Sequence, residues 1–180
     1  MTRQHAHRHA RQHGLSLVET TVTLGLAAVV AGLAAPNLNT VLELRRLDGA
    51  ATQLAGDLQF ARGEALARNR PVRLSLDAAQ ACYLVHTGAA ADCRCAGDGS
   101  ATCSGGAQAI RSVAWGAGER IGLQASSGSL LFDPRHGTAT PSATLRVVAA
   151  DGRAIHHVVN VMGRLRSCSP LAAVPGYRAC

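Results

Sequence analysis

Two arginines near the end of the chain are the residues best suited to bind a ligand. Arg164 and Arg166 lie two positions apart in the sequence Gly-Arg-Leu-Arg that begins at Gly163. In an extended strand, side chains two positions apart point to the same face, and planar guanidinium groups can bind adjacent phosphate groups there. Gly163 lets another backbone approach closely, and Arg178 adds a further positive charge. These residues predict a phosphate-binding surface.

The surrounding sequence is also basic. Residues 146–180 contain five arginines and one acidic residue, Asp151. Taken alone, Arg164 and Arg166 favour a simpler interpretation, in which they form the solvent-exposed face of a terminal strand. The phosphate-binding prediction therefore depends on more of the sequence than these two side chains.

Six cysteines indicate a small exported domain that is held together by disulfides. They are Cys82, Cys93, Cys95, Cys103, Cys168 and Cys180. Cys168 and Cys180 bracket a short tail, so we expect them to pair, and closing such a loop contributes about 3 kcal/mol. Cys93 and Cys95 are too close in sequence to favour a mutual bond, so each is expected to pair with Cys82 or Cys103, and this choice stays open. A zinc site on these four cysteines is disfavoured, because paired CxxC motifs are absent.

The sequence contains no motif typical of an enzyme. It has no nucleophile elbow, no phosphate-binding glycine loop and no HExxH pattern. His156 and His157 are neighbours in a predicted strand and so point to opposite faces, which is poor geometry for a shared metal. Aromatic residues are scarce, with one Trp, two Tyr and two Phe, and this disfavours stacking on single-stranded bases. We expect no catalysis, metal or cofactor.

The elements that position these residues begin with an apolar segment. Residues 15–35 carry one formal charge, Glu19, and about 20 such residues cross ~30 Å of hydrocarbon as a helix. The leader, residues 1–14, has three arginines and no acidic residue, which predicts that it stays in the cytoplasm. Residues 15–36 are therefore predicted to form the transmembrane part of a helix, which Pro36 bends or locally melts.

Glu19 needs a partner, because a carboxylate inside a membrane costs about 2.5–3.5 kcal/mol on insertion scales. If the chain is cut after Gly14, the new amino group of Leu15 lies four residues before Glu19, about one helical turn away. That amine, or the amine of a neighbouring copy, would pair with Glu19 and fix the register between helices in a filament. The simpler interpretation is a single-pass anchor with Glu19 near the membrane interface.

Residues 37–70 are predicted to continue as an amphipathic helix, because their apolar residues recur at intervals of three and four. Asn69 and Pro71 end it, since the residue before proline is driven out of helical geometry. A helix from about Leu15 to Arg68 would be ~80 Å long at ~1.5 Å per residue. Beyond it, turn-forming clusters separate short β-like segments: 72–76, 82–86, 110–115, 120–124, 130–132, 144–149 and 154–162. The prediction is an α+β fold, with the helix packed on antiparallel sheets of a globular domain at residues 71–180.

The N-terminal residues resemble the class III signal of the type IV pilin and pseudopilin family, through Gly14, the apolar segment, Glu19 and Pro36. Leu15 departs from the family pattern, which most often has Phe there. The resemblance implies the pilin fold, cleavage after Gly14 and N-methylation of Leu15 by a prepilin peptidase. It also implies assembly with other major and minor pilins by an inner-membrane platform. The protein would be a single-pass inner-membrane protein with a periplasmic domain before assembly, and part of a pilus afterwards.

The turn at residues 132–138 and the strand that follows it resemble the branch that joins the type II secretion pseudopilin H with FimT-like minor pilins. Within that branch, residues 163–170 and 175–180 resemble the C-terminal GRxR signature of FimT-like pilins, which are associated with DNA binding during uptake for natural transformation.

The GRxR resemblance implies that Arg164 and Arg166 contact double-stranded DNA, mostly at phosphates and without sequence preference, with Gly163 and Arg178 beside them. Two alternatives stay open. One is a type II secretion pseudopilin of the H kind, which acts in tip assembly and contacts secreted protein. The other is a structural minor pilin that primes filament assembly and binds no ligand.

Overall fold

The computed structural model describes residues 16–180, without the side chains of residues 33–37. Two compact units are distinguished, Met1–Thr40 and Val41–Cys180. Within the residues that the structure describes, no helix is long and apolar enough to cross a membrane. Gly14 and Leu15 lie outside the described residues, as does part of the predicted membrane segment at residues 15–36, so these assignments stay predictions.

The helix α1 comprises Leu17–Arg68. Its backbone remains helical through Pro36, so the local melting expected there is not observed. It ends at the predicted residue, and Asn69 adopts the left-handed conformation with φ 50°. From residue 47 onward, side chains spaced by three and four residues form a buried apolar stripe, made of Leu47, Ala50, Ala51, Leu54, Leu58, Ala61 and Ala65.

The described residues contain eleven strands, and those of the two larger sheets pair in antiparallel fashion. They are β1 Val72–Asp77, β2 Cys82–His86, β3 Cys93–Cys95, β4 Ala101–Cys103, β5 Ala109–Ala114, β6 Ile121–Ala125, β7 Ser129–Phe132, β8 Ala139–Thr140, β9 Ala143–Ala149, β10 Ala154–Val159 and β11 Leu165–Cys168. The first sheet has the order β5-β2-β1-β7-β8 and the second β11-β10-β9-β6, while β3 and β4 form a separate hairpin. The predicted α+β fold is confirmed.

All seven predicted β-like segments correspond to strands, with boundary differences of a few residues. The largest difference is at β10, which ends at Val159 rather than residue 162, because the Gly163 N–H donates to the Asn160 carbonyl across a turn, at 2.9 Å. The seven segments did not include β3, β4, β8 or β11, although the interpretation of Arg164 and Arg166 as part of a terminal strand corresponds to β11. Strands of two to four residues are too short to show alternation of apolar and polar side chains.

Two disulfides tie the β3–β4 hairpin together and to the first sheet. Cys82 pairs with Cys95, and Cys93 pairs with Cys103. Both pairings fall within the expectation that Cys93 and Cys95 bond to Cys82 or Cys103. The hairpin covers the outward side of β2, all five residues of which are buried.

A buried carboxylate links α1 to the first sheet. Asp57 has 2% of its surface exposed, accepts a 2.7 Å hydrogen bond from the Tyr83 hydroxyl and pairs with the Arg111 guanidinium. That guanidinium also lies over the Phe60 ring, 4.4 Å from its centroid. Burial raises the pKa of Tyr83, and the hydrogen bond to Asp57 raises it further as the second-largest cause. The tyrosine therefore stays protonated and can donate its hydrogen bond to Asp57.

A buried histidine marks the contact between α1 and the second sheet. His157 is 1% exposed, and its Nδ1 lies 2.8 Å from the Ser167 hydroxyl. Burial lowers the pKa of His157 from 6.5 to about 4, against a smaller opposing effect of the Ala51 backbone. The ring is therefore neutral in the folded protein at pH 7.

Replacing Asp57 by Ala leaves the buried Tyr83 hydroxyl without its acceptor and Arg111 without its counter-charge. We expect the free energy of unfolding to fall by about 2–4 kcal/mol, measured by urea unfolding at neutral pH. Glu43→Ala is the control, because Glu43 pairs with the largely exposed Arg120 and such pairs contribute less than about 1 kcal/mol. Equal losses in the two variants would contradict the role assigned to Asp57.

The stability of the domain should decrease in mild acid because of His157. Below its ordinary pKa of 6.5 the unfolded chain binds a proton at this residue, whereas the folded protein does so only near pH 4. The contribution of His157 to the free energy of unfolding is fully present above pH 6.5. It decreases as the pH falls toward 4, by up to about 1.4 kcal/mol per pH unit. Urea unfolding over this range should give a shallower pH dependence for His157→Gln than for the wild type. Parallel curves would show that His157 is not the group responsible.

Candidate functional site

The outward face of the second sheet brings together side chains from three strands. In the pairing register, Arg146 of β9 lies opposite His156 of β10, which lies opposite Cys168 of β11. In the next row on the same face, Val158 lies between Thr144 and Arg166. The β-strand period of two therefore puts Arg146 and Arg166 on one surface.

These side chains line a groove of about 550 Å³, which we call the arginine groove. It is lined by Thr144, Arg146, His156, Val158, Arg166, Ser167, Cys168, Arg178, Ala179 and Cys180. Arg146, Arg166 and Arg178 are exposed, and no acidic side chain is among the lining residues. Among the ion pairs of residues 16–180 none involves these three arginines, so their charges are available to an anion.

The C-terminal tail carries Arg178 into the groove. Cys168 and Cys180 form a disulfide, as expected from the sequence. The Ser169 N–H donates to the Arg178 carbonyl at 2.9 Å, and the Tyr177 hydroxyl donates to Asp48 of α1 at 2.8 Å. The position of Arg178 is thus fixed on both sides, which reduces the entropy lost on binding.

His156 is a neutral group between these charges at pH 7. Partial burial, and then the neighbouring Arg146, lowers its pKa below 6.5. Its Nδ1 lies 3.7 Å from Sγ of Cys180, and its ligand atom and the two sulfurs of Cys168 and Cys180 lie within 4.8 Å of one another. Because both sulfurs belong to a disulfide, they cannot act as thiolate ligands, and we assign no metal to this cluster.

Arg164 and Gly163 lie in the turn before β11, outside the lining of the groove. Arg164 is exposed, and its N–H donates to the Asn160 side chain at 2.9 Å. Gly163 has φ +69°, and a Cβ there would lie 2.3 Å from the Gly137 carbonyl oxygen. The Arg62 side chain of α1 donates to that same carbonyl at 2.8 Å. Gly163 therefore permits a close approach of its own chain at Gly137. This contact positions β11, the strand that carries Arg166.

The sequence pattern did not identify Arg146 or His156 as site residues. Alternation along each strand places each of them on the polar face, but only the β9–β10 and β10–β11 registers bring them beside Arg166. Glu19, the predicted assembly residue, lies exposed in the first turn of α1, and its expected partner, the amine of Leu15, is outside the described residues.

A family model described as "Type II transport protein GspH" matches residues 50–163. This chain belongs to the GspH family. The match covers the helix stripe from Ala50 onward and both large sheets up to Gly163, and it ends before Arg164, Arg166 and the tail. Of the three arginines of the groove, only Arg146 lies within the matched range.

Solved structures show the same fold. The type IV minor pilin FimU of Pseudomonas aeruginosa is 18% identical, with a TM-score of 0.54, over 74% of this chain and 95% of that one. The minor pseudopilin EpsH of the Vibrio cholerae type 2 secretion system is 14% identical, with a TM-score of 0.51, over 69% and 98%. No curated protein sequence matches the chain.

Family and fold together identify a minor pilin or pseudopilin of a type IV pilus or type II secretion system. Other pilins are its assembly partners, and the family indicates an inner-membrane-anchored, periplasmic pilus component. The members of the family are structural pilins rather than enzymes.

Replacing Gly163 by Ala should destabilise the junction with Gly137 and Arg62. The added Cβ meets the Gly137 carbonyl in addition to requiring a positive φ, so we expect a loss of about 2–3 kcal/mol in the free energy of unfolding. Gly152→Ala is a matched control, because Gly152 has φ +87° and a Cβ placed there would meet no atom within 4 Å, so its loss should be about 1 kcal/mol. Equal losses would show that the close approach at Gly163 contributes nothing.

Proposed function

We propose that this protein is a minor type IV pilin that binds double-stranded DNA in the arginine groove during DNA uptake for natural transformation. The observation that supports this best is the convergence of Arg146, Arg166 and Arg178, from three separate segments, in one groove without an acidic side chain. Guanidinium groups pair readily with phosphate oxygens. Arg164, exposed in the turn before β11, adds a further contact beside the groove.

The spacing of the arginines suits more than one phosphate. Adjacent strands are separated by about 4.8 Å and successive residues by about 3.4 Å. Arg146 and Arg166 lie two strands and two residues apart in the register, so their Cα atoms are roughly 12 Å apart on this geometry. Two extended guanidinium groups at that separation would contact different phosphates of a duplex rather than share one.

The expected binding is electrostatic, weak per subunit and independent of sequence. Each phosphate contact contributes about −0.9 to the slope of log K against log salt concentration on duplex DNA. Three or four arginines per subunit give a modest affinity, and several copies along one filament would raise it through multivalency. Contacts to phosphate fix position but carry no sequence information.

The proposal includes the maturation that the N-terminal signal implies. A prepilin peptidase would cleave after Gly14 and methylate the amine of Leu15, and Glu19 would pair with that amine during assembly. The protein would reside in the inner membrane until an assembly platform incorporates it, with other pilins, into a filament. The class III signal supports these steps.

A type II secretion pseudopilin of the H kind is a second candidate, favoured by the name of the matching family and by the fold shared with EpsH. In that role the protein would act in tip assembly and contact secreted protein. A minor pilin that only primes assembly is the third candidate. Both predict that arginine substitutions in the groove leave transformation unchanged.

Binding of labelled duplex DNA by the oxidised full-length chain in detergent tests the proposal. Removing Arg146, Arg166 and Arg178 together deletes three phosphate contacts, so the salt slope should decrease by about 2.7 and low-salt affinity should fall strongly. Arg164→Ala should lower the slope by about 0.9. Fluorescence anisotropy over a salt series measures both quantities.

Arg94→Ala is the charge-matched control for Arg164→Ala, because Arg94 is exposed in β3 and does not line the groove. It should leave the salt slope nearly unchanged. If the wild type does not bind DNA, or if the groove variants and Arg94→Ala lose affinity equally, the DNA-binding proposal is wrong and the secretion or priming role remains. Transformation frequency in a strain with normal piliation provides the corresponding test in cells.

A further inference from the structure

The turn between β10 and β11 presents two large apolar side chains to solvent. Val161 and Met162 are 60% and 59% exposed, although burial of apolar side chains of this size stabilises a folded protein. They are immediately followed by Gly163 and the exposed Arg164. We call residues 160–163 the apolar tip.

The backbone of the apolar tip is fixed by hydrogen bonds. The Asn160 N–H donates to the Arg164 carbonyl at 3.1 Å, and the Ala139 N–H donates to the Val161 carbonyl at 3.0 Å. The Asn160 side chain accepts from the Arg164 N–H at 2.9 Å. Packing of Gly163 against the Gly137 carbonyl adds a further restraint. The tip therefore holds its two apolar side chains in solvent without collapse onto the domain.

The apolar tip stands at one end of the arginine groove. Thr144 and Val158 line the groove, and the same two residues line an adjoining depression that reaches Asn160. A ligand that lies along the groove past Arg166 would thus meet the tip. Arg164 is exposed, directly after the tip and two residues before Arg166, so a ligand that contacts both Arg166 and the tip would lie beside a further cationic group.

We propose, resting on the DNA-binding function above, that Met162 and Val161 insert between base pairs from the minor groove while Arg164 and Arg166 hold the flanking phosphates. Unbranched Met and other apolar side chains act as such wedges in minor-groove binders, where they partly unstack a base step and bend the duplex. The ligand is double-stranded DNA, and flexible pyrimidine–purine steps such as TA are the easiest to open, although the arginine contacts themselves carry no sequence information. The apolar contact is independent of salt, unlike the arginine contacts.

The test uses the oxidised full-length chain in detergent and a short duplex that carries a fluorescent adenine analogue whose emission rises on unstacking. Val161→Ser/Met162→Ser should lower duplex affinity by about tenfold or more, since losing the burial of even one such side chain lowers it by that factor, with the salt slope unchanged. The rise in analogue emission seen with the wild type should disappear. Leu171→Ser is the matched control, because Leu171 is 95% exposed and does not line the groove.

DNA binding by the wild type tests the proposed function, whereas the tip variant and the analogue emission test the wedge. If the wild type does not bind DNA, both fail. If the wild type binds and the tip variant binds equally well, or if the wild type causes no rise in emission, the wedge is wrong while the arginine groove still stands. A tip variant that binds DNA normally but no longer enters filaments would assign the tip to contact with another pilin and would overturn the inference. Equal thermal unfolding of both variants and the wild type shows that folding is not the cause.

Discussion

One apolar stripe on α1 holds the globular unit together. Leu47, Leu54 and Leu58 are buried with small alanines between them, and they belong to the same cluster as core residues of both sheets. Small side chains such as Ala51 and Ala61 let the strands approach the helix closely, and the leucines fill the remaining volume. Because each sheet buries one face on this stripe, a change there affects both sheets at once.

Polar groups specify how each sheet sits on that stripe. Asp57 fixes the first sheet through Tyr83 and Arg111, and the neutral His157 lies at the contact of the second sheet with the helix. A buried carboxylate is tolerated only where its hydrogen bonds and counter-charge are supplied. Asp57 therefore favours one packing of the first sheet on the helix over others with similar apolar burial.

The helix also positions the candidate binding surface. Arg62 donates to the Gly137 carbonyl, against which Gly163 packs, and Asp48 holds Tyr177 of the tail. Arg166 of β11 and Arg178 of the tail are thus both positioned through contacts to α1. Such rigid support is suited to a site that binds a stiff polyanion. The family match ends at Gly163, so Arg166 and Arg178 of the groove lie outside it, whereas Arg146 lies within it.

The sequence by itself determined the features that depend on local pattern. Pro71 and the spacing of apolar residues predicted the end of α1 at Arg68, short β-like segments between turn-forming clusters predicted seven of the nine strands of the two large sheets, and the position of two cysteines predicted the closed tail. The N-terminal signal and the turn after Phe132 indicated the pilin family. Short strands such as β3 and β4 escaped detection, because pairing rather than local pattern stabilises them.

Only the tertiary structure decided which side chains share a surface. Arg146 and Arg166 are separated by twenty positions in sequence, and the register of β9, β10 and β11 places them in one groove. The same register leaves Arg164 at the edge of the groove, although its two-residue spacing from Arg166 predicted that both arginines would contact the ligand equally. Gly163 contacts the chain's own Gly137. Long-range pairing sets these relations, and local sequence contains no information on which strands become neighbours.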